Sequence, residues 1–274
     1  MLMWNRGASG LTGIRSLSNE QLMHINVVSL FPDLIRDAAG YGVGGRAMER
    51  GLVQLDCTNP RDFSDDTHQT VDDRPYGGGP GMVLKVEPMA RAINAARDGL
   101  PKGSRVVFLN PQGRVFDQGI AREMSGLPGF VLVAGRYEGF DERLLDRFAD
   151  DELSLGDYVL SGGEMAALVV MDAVVRLLPG VLGSDLSVEQ DSFMQGLLDY
   201  QHYTRPEVID GMQVPGVLLE GNHAAIRRWR LKQALGRTWL RRPELLVDRE
   251  LTREEQELLN EFKAEQDEGR PNAG

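Results

Sequence analysis

Three short apolar runs, each continuing into a loop that contains glycine, constrain the fold of this chain more than any other feature. RVVFL at 105–109 continues into Asn-Pro-Gln-Gly, FVLVA at 130–134 into Gly-Arg-Tyr-Glu-Gly, and DYVL at 157–160 into Ser-Gly-Gly-Glu. Continuous apolar runs of this length are typical of parallel strands that are covered on both faces. Ligands of open α/β sheets bind beyond the carboxyl ends of such strands, and glycine lets backbone groups approach them closely. The loops are therefore either tight turns or a cofactor site, and composition alone leaves both interpretations open.

Strands and helices alternate over the first two thirds of the chain. The runs at 24–31 and 52–57 are predicted strands, and 158–160 is a further short one. The segment PDLIRDAA, with Pro32 in its first turn, and the segment 87–100 are predicted helices. This alternation indicates an α/β domain with a parallel sheet.

The segment 164–178 is a predicted helix that is apolar on nearly all of its faces. Such a helix is buried in a core or in a subunit interface. Arg176 lies near its end, four residues after Asp172. It either forms a simple pair with that aspartate or has an electrostatic role, because a guanidinium on so apolar an element is costly.

The composition changes after this helix, which indicates a second domain. The segment 183–195 is polar and without apolar period, as expected of a linker, and helical patterns follow at 223–242 and 252–266. We expect an N-terminal extension at 1–22, a first domain at 23–182, the linker at 183–195, a small all-helical domain at 196–268 and a tail at 269–274.

A basic stretch at 227–242 is the clearest indication of a partner. It carries seven basic residues, no acidic residue and two tryptophans, Trp229 and Trp239. Such clusters bind phosphates, and the tryptophans either stack on bases or pack in the core. The pattern favours nucleic acid over a solvated helix face. The net charge of −11 does not argue against this, because 244–268 alone holds ten acidic and three basic residues.

Several classes of protein are excluded or disfavoured. The single cysteine, Cys57, excludes an intrachain disulfide and a multi-cysteine zinc site, and fits a reducing cytoplasm. No window approaches the ~18 uninterrupted apolar residues of a membrane span. The four histidines lack ligand spacing, so we assign no metal site. The GxGxxG pattern at 40–45 is predicted to be a turn, because a helix separates it from the preceding strand, whereas a dinucleotide site needs these glycines directly after the strand.

Several long motifs together resemble one known family, the bacterial tRNA (guanine-N1-)-methyltransferases of the TrmD type. The resemblance runs from about residue 23 to about residue 263. The motifs are TVDDRPYGGGPGM (70–82), NPQGR (110–114), GRYEGFDER (135–143), GDYVLSGGE (156–164), PGVLG (179–183), HYTRPEV (202–208) and the segment 221–246.

The resemblance implies a SPOUT-type α/β domain whose parallel sheet carries a deep C-terminal trefoil knot, followed by a small helical domain. The three glycine loops then form the knot and hold S-adenosylmethionine. The implied reaction is methyl transfer to N1 of guanosine 37, next to the tRNA anticodon, which supports reading-frame maintenance. The family also implies a cytoplasmic homodimer with active sites at the subunit interface, and a dependence on magnesium.

The resemblance also implies roles for individual residues. By motif, Asp191 is the general base and Arg176 stabilises O6 of the guanine. The implied cofactor-binding residues are Pro111, Gly135, Tyr137, Glu138, Leu155, Gly156, Asp157, Tyr158, Val159, Leu160, Gly162 and Gly163. We expect tRNA to contact Arg227, Arg228, Arg230, Lys232, Arg237, His202 and Arg205.

Two alternatives rest on single features of the sequence. A non-catalytic RNA-binding module rests on the basic stretch alone, and a nicotinamide oxidoreductase rests on the glycine pattern at 40–45. Binding of S-adenosylmethionine in the absence of RNA separates the methyltransferase from both.

Overall fold

The computed structural model describes residues 22–183 and 191–268. The predicted extension at 1–22 lies almost entirely outside the described residues, as do 184–190 of the predicted linker and the predicted tail. The chain divides into two compact units, one formed by Met1–Val115 and Gly126–Val175, the other by Phe116–Ser125 and Arg176–Gly274. The sequence did not predict that 116–125 belongs with the second unit.

The first unit is built on a parallel five-stranded sheet, which confirms the predicted α/β class. The strands of the unit are β1 Met23–Val28, β2 Val53–Thr58, β3 Asp72–Asp73, β4 Val83–Leu84, β5 Arg105–Val115, β6 Gly129–Ala134 and β7 Asp151–Ser154. The sheet has the order β2-β1-β6-β5-β7, and β3 and β4 form a separate antiparallel pair. Every residue of β6 is buried, as expected of a central parallel strand covered on both faces.

Two details of the predicted strands are wrong. The run 158–160 is not a strand, because it forms a bend and irregular backbone that pairs with no strand of the sheet, and the last strand of the unit is β7 instead. Tyr158 and Val159 are also exposed. β7 has the sequence DELS, whose polar composition gives no strand signal, although its last two residues are buried. The predicted loop at 110–113 is part of β5, where the register with β7 shifts and Leu153 lies opposite both Leu109 and Arg114. This irregularity takes the place of a simple strand exit.

The helices of the first unit surround this sheet. They are α1 Pro32–Ala39, α2 Gly42–Glu49, α3 Val86–Asp98, α5 Glu142–Phe148 and α6 Glu164–Val175, while α4 Gln118–Ser125 belongs to the second unit. The predicted turn at 40–45 is wrong, because α2 begins inside it. A Cβ atom on Gly45 would overlap the carbonyl group of Gly40, so glycine here allows two helices to follow each other closely. Among the described residues, no helix is long and apolar enough to cross a membrane.

The second unit is centred on two long helices, α7 His223–Arg241 and α8 Arg253–Glu268, as the sequence predicted. Their shared core includes Leu235 and Leu258, both fully buried. The unit is not all-helical, because the short strands β8 Val208–Ile209 and β9 Met212–Gln213 form an antiparallel hairpin. The connecting Asp-Gly pair adopts positive φ at both positions, the backbone of a tight hairpin turn.

We expect Gly236→Ala to destabilise the second unit. Helix propensity alone would favour alanine by about 1 kcal/mol, but a Cβ atom at Gly236 of α7 would overlap the ring of Phe262 in α8. Overpacking costs about 1–3 kcal/mol, and a contact this close to three ring atoms belongs to the upper part of that range, about 2–3 kcal/mol. The free energy of unfolding should therefore fall by about 1–2 kcal/mol net. Denaturant unfolding measures the change, and the additional substitution Phe262→Leu should recover part of it. An unchanged or higher stability of Gly236→Ala would contradict this packing.

Candidate active site

One cavity of about 310 Å³ lies in the first unit, where β5, β6 and β7 deliver the three glycine loops. The loops are therefore more than isolated turns, because they share a single concave surface. The predicted cofactor-binding residues that line it are Pro111, Gly135, Tyr137, Glu138, Leu155, Gly156, Tyr158, Val159, Leu160, Gly162 and Gly163. Asp157 is exposed and is absent from the lining. Further lining residues, which were not among the predicted cofactor contacts, include Asn110, Gln112, Arg136 and Glu142.

The lining combines apolar surface with a few polar groups. Leu109, Leu155 and Leu160 supply aliphatic surface, and Glu138 and Glu142 supply carboxylates. Ligand pockets in proteins are commonly of this kind, with polar groups that fix the orientation of a mainly apolar contact. The cavity can therefore hold a flat ring together with a polar or cationic chain.

Backbone conformation at the β6 exit is unusual. Tyr137 is a non-glycine residue in the left-handed region, with φ of 60°. Such a conformation costs about 1–3 kcal/mol and persists only where the surroundings fix it. Here the neighbouring Glu138 N–H donates to the carbonyl of Met82 at 2.9 Å, and Gly139 N–H donates to that of Arg136 at 3.1 Å. These bonds hold the Tyr137 backbone at the wall of the cavity.

A buried carboxylate connects the chain segments around the cavity. Glu164, the first residue of α6, is 1% exposed and accepts hydrogen bonds from Ser29 Oγ and Arg136 Nε, both at 2.9 Å. Arg136 also donates to the carbonyl of Ser161 at 3.2 Å, and its guanidinium lies 4.5 Å from the ring centre of Phe31. We call Ser29, Arg136 and Glu164 the carboxylate clamp, because it joins the exits of β1 and β6 to the start of α6.

The glycines at the cavity serve the packing of these segments against one another. A Cβ atom on Gly163 would lie 2.8 Å from Cα of Ala134, and one on Gly162 would lie 2.5 Å from a carboxylate oxygen of Glu164. Gly163 N–H also donates to the carbonyl of Gly135 at 2.8 Å. From the sequence these glycines could serve either tight turns or the close approach of a ligand, and in the structure Gly162 and Gly163 allow close approach of one protein segment to another.

In the second unit, Arg176 and Asp191 form an ion pair. Arg176 Nη2 donates to Asp191 Oδ2 at 2.6 Å, and the side chains remain 30% and 36% exposed. Arg176 lies one residue beyond the end of α6. Its ion pair is therefore with Asp191 and not with Asp172, the partner that helical spacing suggested. A carboxylate and a guanidinium that are both accessible to solvent can act on a substrate that carries a proton and an adjacent carbonyl oxygen.

The predicted tRNA-binding residues of α7 are only partly free for a polyanion. Arg228 donates to Glu261 of α8 at 2.7 and 3.0 Å, and Lys232 donates to Glu265 at 2.5 Å. The hydrogen bond from Arg228 holds the pKa of the Glu261 carboxyl below its usual value. Arg227 is exposed on the same helix.

Aromatic side chains lie among these basic side chains, as the sequence showed. The guanidinium of Arg230 lies 4.8 Å from the ring centre of Tyr200, whose pKa is raised by burial. The ring centres of Trp229 and Tyr203 are 6.4 Å apart. Trp239, in contrast, packs against the core of the unit, so one tryptophan has the core role and the other lies in a cationic and aromatic surface.

The remaining predicted tRNA contacts lie at other points of the second unit. His202 and Arg205 are exposed, and a ring nitrogen of His202 lies 2.8 Å from Asp199. Arg237 of α7 is half-buried.

Comparison with known proteins decides the family. The family described as tRNA (Guanine-1)-methyltransferase TrmD matches residues 23–248. The chain belongs to this family. A tRNA (guanine-N(1)-)-methyltransferase of Methylococcus capsulatus is 62% identical over 243 residues, which cover 89% of this chain and 97% of the relative. Proteins of the same name from Chromohalobacter salexigens and Sodalis glossinidius are 60% and 58% identical, again over 89% of this chain and over 94% and 97% of the relatives.

Membership of the TrmD family implies the use of S-adenosylmethionine, and the cavity fits such a molecule. Its volume of about 310 Å³ suits a small ligand. Leu155 and Leu160 offer apolar surface for an adenine ring, and Glu138 and Glu142 offer acceptors for hydroxyl or ammonium groups. Among the described residues, no cluster of three or more His, Cys, Asp or Glu side chains could hold a metal ion. The magnesium dependence implied by the resemblance thus stays a prediction without a site.

We expect Glu164→Gln to weaken the carboxylate clamp. The amide keeps the shape of the side chain but leaves the guanidinium of Arg136 without its buried counter-charge, which should lower the free energy of unfolding by about 2–4 kcal/mol. Urea unfolding at neutral pH measures this change. Asp65→Asn is the matched control, because Asp65 also accepts two hydrogen bonds, from Arg91 at 2.7 and 2.5 Å, but is exposed. The control should leave the unfolding midpoint unchanged, and equal effects of the two variants would argue against the clamp.

Proposed function

We propose that this protein transfers the methyl group of S-adenosylmethionine to N1 of guanosine 37 in tRNA, next to the anticodon, and so supports maintenance of the reading frame. Family membership supports the methyl transfer and the guanine N1 target. The observation that carries the residue assignment is the accessible pair of Arg176 and Asp191, because it offers a base and a cation together.

In this proposal Asp191 is the general base. N1 of guanine carries a proton and becomes a good nucleophile only when that proton leaves. The Asp191 carboxylate takes the proton while the N1 electron pair forms the new bond to the methyl carbon. A positioned general base contributes about 10²–10⁴-fold to a rate. When bound, S-adenosylmethionine would supply the methyl group, because its sulfonium sulfur can keep the electron pair of the broken bond to the methyl carbon and leave as the neutral thioether S-adenosylhomocysteine.

Arg176 stabilises the charge that this step creates. As the proton leaves N1, negative charge develops on O6, and a preorganised guanidinium near that oxygen lowers the barrier. A carboxylate that accepts a hydrogen bond from a guanidinium is a weaker base. The proposal therefore requires Arg176 to exchange its bond with Asp191 for a bond with O6 when the guanine is bound.

The first unit supplies the cofactor site in this proposal. The predicted knotted domain at 23–182 holds the cofactor in the cavity between the three loops, with Pro111, Tyr137 and Gly156 among its contacts. The carboxylate clamp and the close glycine contacts support this role, because they fix the loops against one another.

The general base, Asp191, comes from the linker at 183–195 in this proposal. The tRNA contacts come from the helical domain at 196–268. The exposed side chains of Arg205 and Arg227 are the basic groups best placed to contact phosphates. Trp229 and Tyr203 offer ring faces on which unstacked nucleobases can stack. The anticodon stem-loop is the part of tRNA that these residues would bind, in the cytoplasm where tRNA is used.

We further propose a homodimer with active sites at the subunit interface. Helix α6 is apolar on faces that the first unit does not bury: Met165 is 51% and Val169 is 50% exposed, one helical turn apart. An exposed apolar stripe of this kind is typical of a surface that another protein covers. A second copy of the chain is the partner that the family resemblance implies.

Asp191→Ala tests the chemical assignment. We expect it to lower the single-turnover rate of methyl transfer to tRNA by about 10²–10⁴-fold, because the N1 proton loses its acceptor. Calorimetric titration should show unchanged binding of S-adenosylmethionine. Arg176→Ala should likewise slow transfer and spare cofactor binding.

Asp248→Ala is the control for these variants, since Asp248 is an exposed aspartate of the same unit. Full activity of Asp191→Ala would remove the base assignment. Absence of cofactor binding by the unaltered protein, together with salt-sensitive RNA binding, would instead favour the RNA-binding module.

A further inference from the structure

The residues that follow Asp191 form a compact turn in the second unit, which we call the base turn (Asp191 to Leu197). Phe193 N–H donates to the carbonyl of Leu197 at 2.7 Å, and Met194 N–H donates to that of Asp191 at 3.2 Å. Phe193 adopts a left-handed backbone with φ of 71°, although it is not glycine. A conformation of this kind persists only where the surroundings determine it.

Two arginines from different parts of the unit hold consecutive carbonyl groups of the base turn. Arg122 of α4 donates from Nη2 to the carbonyl of Met194 at 2.7 Å. Arg249, which precedes α8, donates from Nη1 to the carbonyl of Gln195 at 2.5 Å. Hydrogen bonds from a charged donor are stronger than those between neutral groups. The turn is thus fixed to α4 and to the start of α8.

The anchor at Arg249 is itself fixed by the N-terminus of α8. Its Nη2 donates to Glu255 Oε1 at 2.6 Å, and Glu255 is only 8% exposed. Glu255 also accepts from Thr252 N–H at 2.8 Å, while Thr252 Oγ1 accepts from Glu255 N–H at 3.2 Å. This reciprocal pair is a capping box, which holds the Glu255 side chain in place.

We propose that Arg122 and Arg249 are positioning residues that set the place of the general base, an inference that rests on the proposed function. The contact between Arg176 and Asp191 is given up when Arg176 turns to O6 of the guanine. From that point, the backbone anchors at Met194 and Gln195 determine where the Asp191 carboxylate lies. Displacement of a reacting group by about 1 Å can cost about 10²-fold in rate, so loss of the anchors slows proton transfer without removing a group that touches substrate.

The test uses Arg122→Met, Arg249→Met and the double variant in the full chain. Single-turnover methyl transfer is measured at saturating S-adenosylmethionine and tRNA, and the Kd of each ligand is measured separately. We expect each single variant to transfer about 10-fold more slowly and the double variant about 10²-fold more slowly, with both Kd values unchanged. Arg249→Lys should recover part of the rate, because its ammonium can still donate to the carbonyl of Gln195.

Arg253→Met is the matched control. Arg253 is the first residue of α8 and, like Arg249, pairs with a glutamate, Glu257 at 2.9 Å, but this exposed bond lies within the helix. It should transfer methyl groups at the unaltered rate. If Arg249→Met fails to fold, Arg122→Met and Arg249→Lys carry the test.

The outcomes separate the inference from the function on which it rests. A slower transfer step with unchanged Kd values supports the positioning role. Rates within about twofold of the unaltered protein in folded variants, or rate losses that merely follow a weaker tRNA Kd, overturn it and leave the methyltransferase assignment intact. Absence of methyl transfer by the unaltered protein overturns the proposed function itself.

Discussion

The burial of one carboxylate, Glu164, is the interaction on which the candidate cofactor site depends. A charged group leaves water at a high cost, which is offset only when its oxygens find partners. The partners here are Ser29, 135 residues away in the chain, and Arg136, 28 residues away. The exits of β1 and β6 and the start of α6 must therefore come together before the carboxylate is satisfied. The walls of the cavity form only when these segments come together, because Arg136 lines the cavity and Gly162 packs against the clamp.

Much of the first unit could be predicted because its central strands are buried on both faces. Such strands form continuous apolar runs, and those at 105–109 and 130–134 lie where the sequence predicted them. The same rule was wrong at 158–160, whose apolar side chains line the cavity and remain exposed, and it missed the polar edge strand β7. An apolar run therefore predicts a buried strand only where its side chains do not line a cavity instead.

Less of the candidate site could be predicted from sequence patterns. Glycine spacing indicated that the three loops belong together, but the clamp joins residues too far apart for any periodic pattern. Asp191 and Arg176 are 15 residues apart. Asp191 has no local signal and its role came only from the family resemblance, whereas the position of Arg176 on an apolar helix already indicated an electrostatic role without giving its partner. The hairpin at 208–213 contains the strong turn signal Asp-Gly, but its second strand is the mixed pair Met-Gln, so the apolar flanks that would complete the signal are present on one side only. The roles of Arg122 and Arg249 had no such signal, since both act on backbone carbonyls.

The charges of the second unit bear on selectivity as well as on affinity. Acidic residues of α8 are directed at α7, where Glu261 and Glu265 neutralise Arg228 and Lys232. Each phosphate contact adds affinity that does not depend on sequence and falls with salt. A helix with all of its basic side chains free would bind any polyanion, whereas here fewer of them, such as the exposed Arg227, remain available, and the unit also carries the ring contact of Trp229 with Tyr203. In the proposed function, the binding of RNA would then depend more on shape and stacking, which a particular stem-loop can satisfy and a generic phosphate chain cannot.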